Sequence, residues 1–125
     1  MSKKIVILGA LGYLGTELCK LYSGESWFHN VIAIDSRFVS KRVNQLKNWN
    51  IKFYQGEVLN KEFLKQHLND ADIVHHLAGV TDVAYVKKES NKNQDEKIKK
   101  IAIDGTNNVL DLISQKCKVI FPSTH

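Results

Sequence analysis

Short apolar runs alternate with longer amphipathic segments along the whole chain. The runs predict five strands, at residues 4–8, 31–35, 51–54, 72–77 and 118–121. Each run is apolar and β-branched enough to be buried on both faces, as parallel strands usually are.

Between these strands, apolar residues recur at helical spacing. They predict a helix over 13–22 stopping near Gly24, a weaker helix or loop over 41–47, a helix from an Asn60 N-cap through His67, and a long helix over 93–115. The predicted inner face of the first helix is Leu14, Leu18, Leu21 and Tyr22. That of the longest helix is Ile98, Ile101, Ile103, Val109, Leu110 and Ile113. Gly105 inside it costs about 1 kcal/mol relative to alanine, so we expect close packing there.

The alternation of strand and helix predicts an α/β fold with a doubly wound parallel sheet. Right-handed crossovers give a Rossmann-like strand order of 3-2-1-4-5, without the sixth strand of the full dinucleotide-binding fold. We expect one domain over 1–125 and no substrate domain. The fifth strand is then an edge, through which the chain is expected to self-associate.

Composition and charge exclude several classes of function. The 125 residues are 43% hydrophobic and 25% charged, typical of a globular protein, and the net charge of +5 comes from lysines interleaved with acids. We therefore expect no nucleic-acid partner. The N-terminal apolar stretch is broken by Gly9 and Gly12, so we expect no signal peptide and no membrane segment. Cys19 and Cys117 lack partners at ligand spacing, which predicts buried thiols, no metal site and a cytoplasmic location.

Three glycines follow the first strand at a three-residue period: Gly9, Gly12 and Gly15. Such a turn places backbone N–H groups and a helix N-terminus against a pyrophosphate, and side chains at Gly9 or Gly12 would fill the space that phosphates need. The alternative is a glycine-rich turn that closes a plain βα unit. The preceding strand, the following helix and an acid twenty residues later favour dinucleotide binding.

That acid is Asp35, at the end of the second predicted strand and followed by Ser36 and Arg37. A carboxylate there accepts hydrogen bonds from an adenosine ribose and repels a 2′-phosphate, which favours NAD over NADP. Arg37 is the counterargument, because an arginine nearby can accommodate that phosphate.

Two further segments lie at the carboxyl ends of strands. Glu57 and Val58 follow the third strand, where we expect them to contact adenine. The alternative is that Glu57 caps the next helix and that Val58 belongs to the core. His75 and His76 close the fourth strand on opposite faces, so they cannot chelate one metal together, and we expect both to be structural. The small residues after Leu77, namely Ala78 and Gly79, leave room for the middle of a dinucleotide.

Together these residues resemble the extended short-chain dehydrogenases/reductases, specifically the NAD-dependent epimerases/dehydratases that act on nucleotide sugars. The matching segments are the glycine turn, Asp35, 56–58, 76–78, 105–110 and 121–124. The resemblance implies that Tyr13 and Leu14, with the glycines, hold the pyrophosphate through backbone amides. It also implies that Glu57 and Val58 replace an Asp-Ile pair beside adenine, that Leu77, Ala78 and Gly79 line the cofactor, and that Thr124, rather than Ser123, polarises the reacting carbonyl.

The chain departs from the family pattern at important positions. Ala102 stands where an asparagine is usual, and no tyrosine is followed by a lysine four residues later, so the family's acid/base pair is absent. A nucleotide-sugar substrate is expected only if a C-terminal domain completes the site. The family mechanism is transient hydride transfer to bound NAD, followed by acid/base chemistry. The alternatives are a stand-alone dinucleotide-binding module and a subunit completed by a partner chain.

Overall fold

The computed structural model describes residues 2–78 and 92–121, without the side chains of 92–95, 97 and 98. Its elements are, in chain order, β1 (Lys4–Leu8), α1 (Tyr13–Tyr22), β2 (Asn30–Asp35), α2 (Ser40–Asn48), β3 (Lys52–Gln55), α3 (Lys61–Leu68), β4 (Ile73–His76), α4 (Lys92–Leu112) and β5 (Lys118–Ile120). The predicted strands differ from these by at most one residue at each end, and the segment 41–47 lies within a helix.

The five strands form one parallel sheet in the order β3-β2-β1-β4-β5. This confirms the predicted Rossmann-like α/β fold. The register places Leu8 of β1 opposite Ile34 of β2 on one side and His76 of β4 on the other. The carboxyl ends of the three central strands therefore meet at one edge of the sheet, where doubly wound folds bind their ligands.

The core lies on both faces of the sheet because side chains alternate along β1. Ile5 and Ile7 pack with the buried side chains of α1 and α2, whereas Val6 and Leu8 pack with those of α3 and α4. The fully buried side chains that the helices contribute to these two clusters are Cys19, Leu46, Leu64, Leu68 and Val109.

The predicted inner face of α1 was wrong at two positions. Leu14 and Leu21 are exposed, and the buried residues of the helix are Gly15 and Cys19. An added Cβ at Gly15 would lie 2.3 Å from the backbone oxygen of Gly9, so the helix packs on the glycine turn through a residue without a side chain. The spacing of large apolar residues in the sequence does not predict this buried face, because its residues are small.

The longest helix also differs from its prediction, because Ile103 and Leu110 are exposed while Val109 is buried. Gly105 faces the loop after β3, and an added Cβ there would lie 2.6 Å from Cγ2 of Val58. This confirms close packing at that glycine. It also fixes the rotation of α4, which turns Ile103 and Leu110 toward solvent.

The structure settles the predictions for the α3 cap and for the two cysteines. The side chain of Asn60 caps α3 by accepting a hydrogen bond from the Phe63 N–H at 3.1 Å, so Glu57 is not the cap. Both cysteines are free thiols, but only Cys19 is fully buried, and burial raises its pKa to about 12. Cys117, expected to be buried, is partly exposed before β5. Among residues 2–78 and 92–121, no helix is long and apolar enough to cross a membrane.

The outer edge of β5 has no strand beside it in the described part of the chain. Ile120 is exposed there, and so is Phe121 after the strand. An uncovered edge of this kind can pair with another chain. Self-association through β5 stays a prediction.

Substitutions on α3 and α1 test the assignment of inner faces. Leu64→Ala removes a side chain with no exposed surface and is expected to lower the free energy of unfolding by about 2–5 kcal/mol. Leu21→Ala, at a residue that is 77% exposed, is expected to change it by at most about 0.5 kcal/mol. Urea denaturation followed by circular dichroism measures both. Equal losses would contradict the observed orientation of α1.

Candidate functional site

The site begins at the turn between β1 and α1. The N–H groups of Gly9 and Ala10 both donate to the carbonyl of Ile34, at 2.8 and 3.1 Å, which ties the turn to the end of β2. Gly9 has a φ of 81°, in the left-handed region that favours glycine. An added Cβ there would lie 2.8 Å from the backbone nitrogen of Ala78, so the protein itself fills the space that the prediction reserved for phosphates.

The N-terminus of α1 suits an anion. Its N-cap residue is Gly12, which has no side chain that could cap the helix, and the first turn contains no acidic residue. By helix geometry, the N–H groups of the first turn lack partners within the helix, and the helix dipole is positive there. Tyr13 and Leu14 lie in this turn with their side chains exposed, whereas Gly12 and Gly15 are buried.

Asp35 lies beside this turn at the end of β2, with its side chain 3% exposed. Its Oδ2 accepts a hydrogen bond from the Leu11 N–H at 2.9 Å, and its Oδ1 accepts one from the Arg37 N–H at 2.9 Å. The guanidinium of Arg37 pairs with the same carboxylate at 3.1 Å. The glycine turn and the acid, which the sequence places twenty residues apart, are therefore one structural unit.

A cleft of about 230 Å³ opens at this edge of the sheet. Most of the predicted cofactor-binding residues line it: Gly9, Asp35, Ser36, Arg37, Glu57, Val58, Leu77 and Ala78. The other four lining residues are Gly56, which lies in the matching segment 56–58, and Ile34, Leu59 and Ile101, for which the sequence predicted no role in the site. Ile101 was identifiable in principle, because it lies four residues before Gly105 and therefore on the same face of α4.

The segment 105–108 of α4 supports the cleft through three separate contacts. Gly105 packs on Val58, the Thr106 hydroxyl lies 2.9 Å from Nε2 of His76, and the Asn108 side chain donates to the carbonyl of Val58 at 2.9 Å. These contacts fix the loop after β3 and the end of β4. The motif was visible in the sequence, but its contacts were not.

Both histidines of β4 are buried, as expected for structural residues. His75 Nε2 lies 2.7 Å from the Tyr22 hydroxyl on one face of the sheet, and His76 contacts Thr106 on the other. Burial lowers the pKa of each imidazole, because a buried charge is poorly solvated. Within the described residues, no group of three or more histidine, cysteine or acidic side chains could hold a metal ion.

Three predicted residues cannot be placed. Gly79, Ser123 and Thr124 lie outside the described residues.

Comparison with known proteins identifies the family. The profile of the 3-beta hydroxysteroid dehydrogenase/isomerase family matches residues 6–124. The chain belongs to this family. The match covers the glycine turn, Asp35 and the segment 105–108, and it confirms the resemblance to the extended short-chain dehydrogenases/reductases.

The relatives of the chain include enzymes named for nucleotide sugars. It is 32% identical over 96 residues to the dTDP-D-glucose 4,6-dehydratase of Dictyostelium discoideum, covering 72% of this chain and 22% of that protein. It is 28% identical over 126 residues to the UDP-N-acetyl-alpha-D-glucosaminuronate decarboxylase of Bacillus cytotoxicus, covering 99% of this chain and 37% of that protein.

A solved structure with the same fold is the Bordetella bronchiseptica enzyme WbmH in complex with NAD+. It has a TM-score of 0.62 and 25% identity, over 90% of this chain and 35% of that one. This chain thus spans roughly a fifth to two fifths of the length of these relatives, and it corresponds to their N-terminal part.

The lowered histidine pKa values predict that acid destabilises the fold. The pKa values of His67, His75 and His76 lie below the unfolded value of 6.5, so below pH 6.5 the unfolded chain binds protons that the folded chain does not. The free energy of unfolding should therefore fall from pH 7.5 to 5.5, and His76→Gln should make that fall shallower. Denaturant titrations across this range measure it. Equal stability at both ends of the range would contradict the assignment of neutral buried imidazoles.

Proposed function

We propose that this chain binds NAD and forms the cofactor-binding part of a nucleotide-sugar epimerase or dehydratase. The observation that carries the proposal is the hydrogen bond from the Leu11 N–H to the Asp35 carboxylate. It holds the site expected for a ribose directly beside the helix N-terminus expected for a pyrophosphate. The family membership and the NAD+ complex of the related WbmH enzyme support the same cofactor.

The residues present fit the parts of the dinucleotide. The first turn of α1, with Gly12, Tyr13 and Leu14, would hold the pyrophosphate through backbone N–H groups. Asp35 would accept hydrogen bonds from the adenosine ribose, whose 2′-hydroxyl it would favour over a 2′-phosphate. Val58 and Ile101 offer apolar contact to the adenine in the cleft, and Leu77 and Ala78 line its course along the sheet.

NAD supplies reversible hydride transfer when it is bound. The contribution of this chain is to bind and orient it, with the buried turn and the packed loop after β3 holding the site rigid. The sequence contains no tyrosine followed four residues later by a lysine, so we propose that the acid/base pair and the nucleotide-sugar site are supplied by residues outside it. The names of the dehydratase and decarboxylase relatives support a nucleotide sugar as the substrate class.

The substitution Asp35→Asn tests the cofactor assignment. Removing the negative charge at nearly constant size weakens the hydrogen bonds to the ribose hydroxyls, so the Kd for NAD should rise by about tenfold or more. Isothermal titration calorimetry of the purified chain measures it.

Asp111→Asn provides a matched control. It removes the same charge from an exposed carboxylate that pairs with Lys61 on the surface, and it should leave the Kd for NAD unchanged. An unmodified chain that does not bind NAD at millimolar concentration would refute the proposed function. Equal effects of the two substitutions would refute the role of Asp35.

A further inference from the structure

A second groove, of about 380 Å³, lies beside β3, at the edge of the sheet opposite to β5. It is lined by Val43 and Lys47 of α2 and by the segment 50–54, which contains most of β3. None of these residues lines the cleft at the carboxyl edge of the sheet. The groove is therefore a separate feature of the surface.

The backbone of β3 has hydrogen-bonding groups free at this edge. In the described part of the chain, β3 pairs with β2 alone. The Gly56 N–H donates to the Asp35 carbonyl at 3.0 Å, which shows the residues of this segment that point toward β2. Because alternate residues of a parallel strand bond to the same neighbour, the N–H and C=O groups of Phe53 and Gln55 point away from β2. They are available to a further strand.

The side chains along the groove combine an apolar surface with positive charge. Val43 and Phe53 are half-buried and pack against the apolar cluster between α2 and the sheet. Lys47 and Lys52 are exposed, and neither ammonium group makes a hydrogen bond or an ion pair within the described residues. No acidic residue is among the described residues that line the groove. Such a lining is complementary to an extended segment that carries an apolar side chain and an acid.

The spacing on α2 matches the repeat of an extended segment. Val43 and Lys47 lie four residues apart on one face of the helix, with Cβ atoms about 5–6 Å apart. Alternate residues of a strand share a face and lie about 6.5–7 Å apart. One apolar residue and an acid two positions away can therefore contact Val43 and Lys47 at the same time.

We propose that the outer edge of β3 is a docking site for an extended acidic segment of a partner protein, which adds to the sheet as a strand beside β3. Backbone bonds to Phe53 and Gln55 hold the segment, and its side chains that face α2 contact Val43 and pair with Lys47 or Lys52. One short strand buries little surface, so this contact is weak and reversible. The inference does not depend on the proposed function.

The same lysines argue against a second copy of the chain as the occupant. Two β3 edges that paired with each other would bring Lys47 and Lys52 of both copies into one interface, and like charges placed opposite each other are destabilising. Lysine on an edge strand is a common means of preventing such pairing. An acidic segment meets attraction where a second copy meets repulsion, so the charge selects the occupant.

The experiment titrates the unmodified ¹⁵N-labelled chain with a blocked peptide of sequence Glu-Thr-Val-Thr-Glu, and separately with Lys-Thr-Val-Thr-Lys. Both sequences are the same in either direction, so each peptide presents the same pattern whether it lies parallel or antiparallel to β3. With the acidic peptide we expect saturable shifts of the amides of Lys47, Phe53 and Gln55, and none at Gly12 or in β5. The lysine peptide should bind more weakly.

Two variants test the role of charge in the groove. Lys47→Glu should raise the Kd of the acidic peptide about three- to tenfold, because an attractive exposed pair is replaced by a repulsive one. It should lower the Kd of the lysine peptide. Lys20→Glu is the matched control, since Lys20 is also an exposed lysine in the last turn of its helix, α1, and does not line the groove. It should leave both Kd values unchanged.

A third peptide tests the role of the backbone. The acidic peptide with N-methyl groups on every inner amide keeps its charges and side chains but cannot donate backbone hydrogen bonds to β3, so it should lose most of its affinity. If it binds as well as the unmodified peptide, or if free glutamate causes the same shifts, the groove is a site for small anions and strand addition is overturned.

The remaining outcomes also decide the inference. Equal Kd values of the acidic and lysine peptides, or equal effects of Lys47→Glu and Lys20→Glu, would overturn selection by charge. Absence of any saturable shift at millimolar acidic peptide would overturn docking at this edge and leave the lysines a purely protective role. Because the titrations contain no NAD, each of these failures leaves the proposed function standing.

Discussion

The candidate site depends on how the buried carboxylate of Asp35 is satisfied. An ionised carboxylate with so little exposure is costly unless it is hydrogen-bonded, and the Leu11 N–H is the donor that comes from outside its own turn. That donor is available only because the chain after β1 turns sharply at Gly9, whose positive φ no β-branched residue would adopt without strain. One backbone conformation, with its positive φ at Gly9, therefore makes the turn and also supplies the N–H donor for Asp35. The Leu11 bond also holds the start of α1, whose N-cap is the next residue, beside Asp35.

The sequence predicts the sheet well because its information is local and periodic. The runs 4–8 and 31–35 have the composition of buried parallel strands, and connection rules restrict the order in which such strands assemble. The inner faces of the helices are less predictable. On α1, the buried residues are Cys19 and Gly15, which packs on the glycine turn, so a count of leucines selects the wrong side. On α4, the rotation is fixed by Gly105 against Val58, a contact between residues far apart in sequence.

The candidate site, like the fold, is predictable from the sequence only where the pattern is local. The glycines and Asp35 are recognisable because a tight turn, a helix and a terminal acid occur at fixed spacing. The pairing of Arg37 with Asp35 is not, because the same arginine at the same spacing is equally compatible with a side chain extended toward solvent. The contribution of Leu59 to the cleft depends on the path of the loop after β3, which the local sequence pattern does not indicate.

The proposed function requires that a dinucleotide binds at the carboxyl edge of β1, β2 and β3. The most direct test is a ¹H–¹⁵N correlation spectrum of the chain during titration with NAD. We expect saturable shifts of the amides of Gly12, Tyr13, Ser36, Arg37 and Val58, with none at Gly24 or in β5. Absence of any saturable shift, or shifts confined to the opposite edge of the sheet, would contradict it.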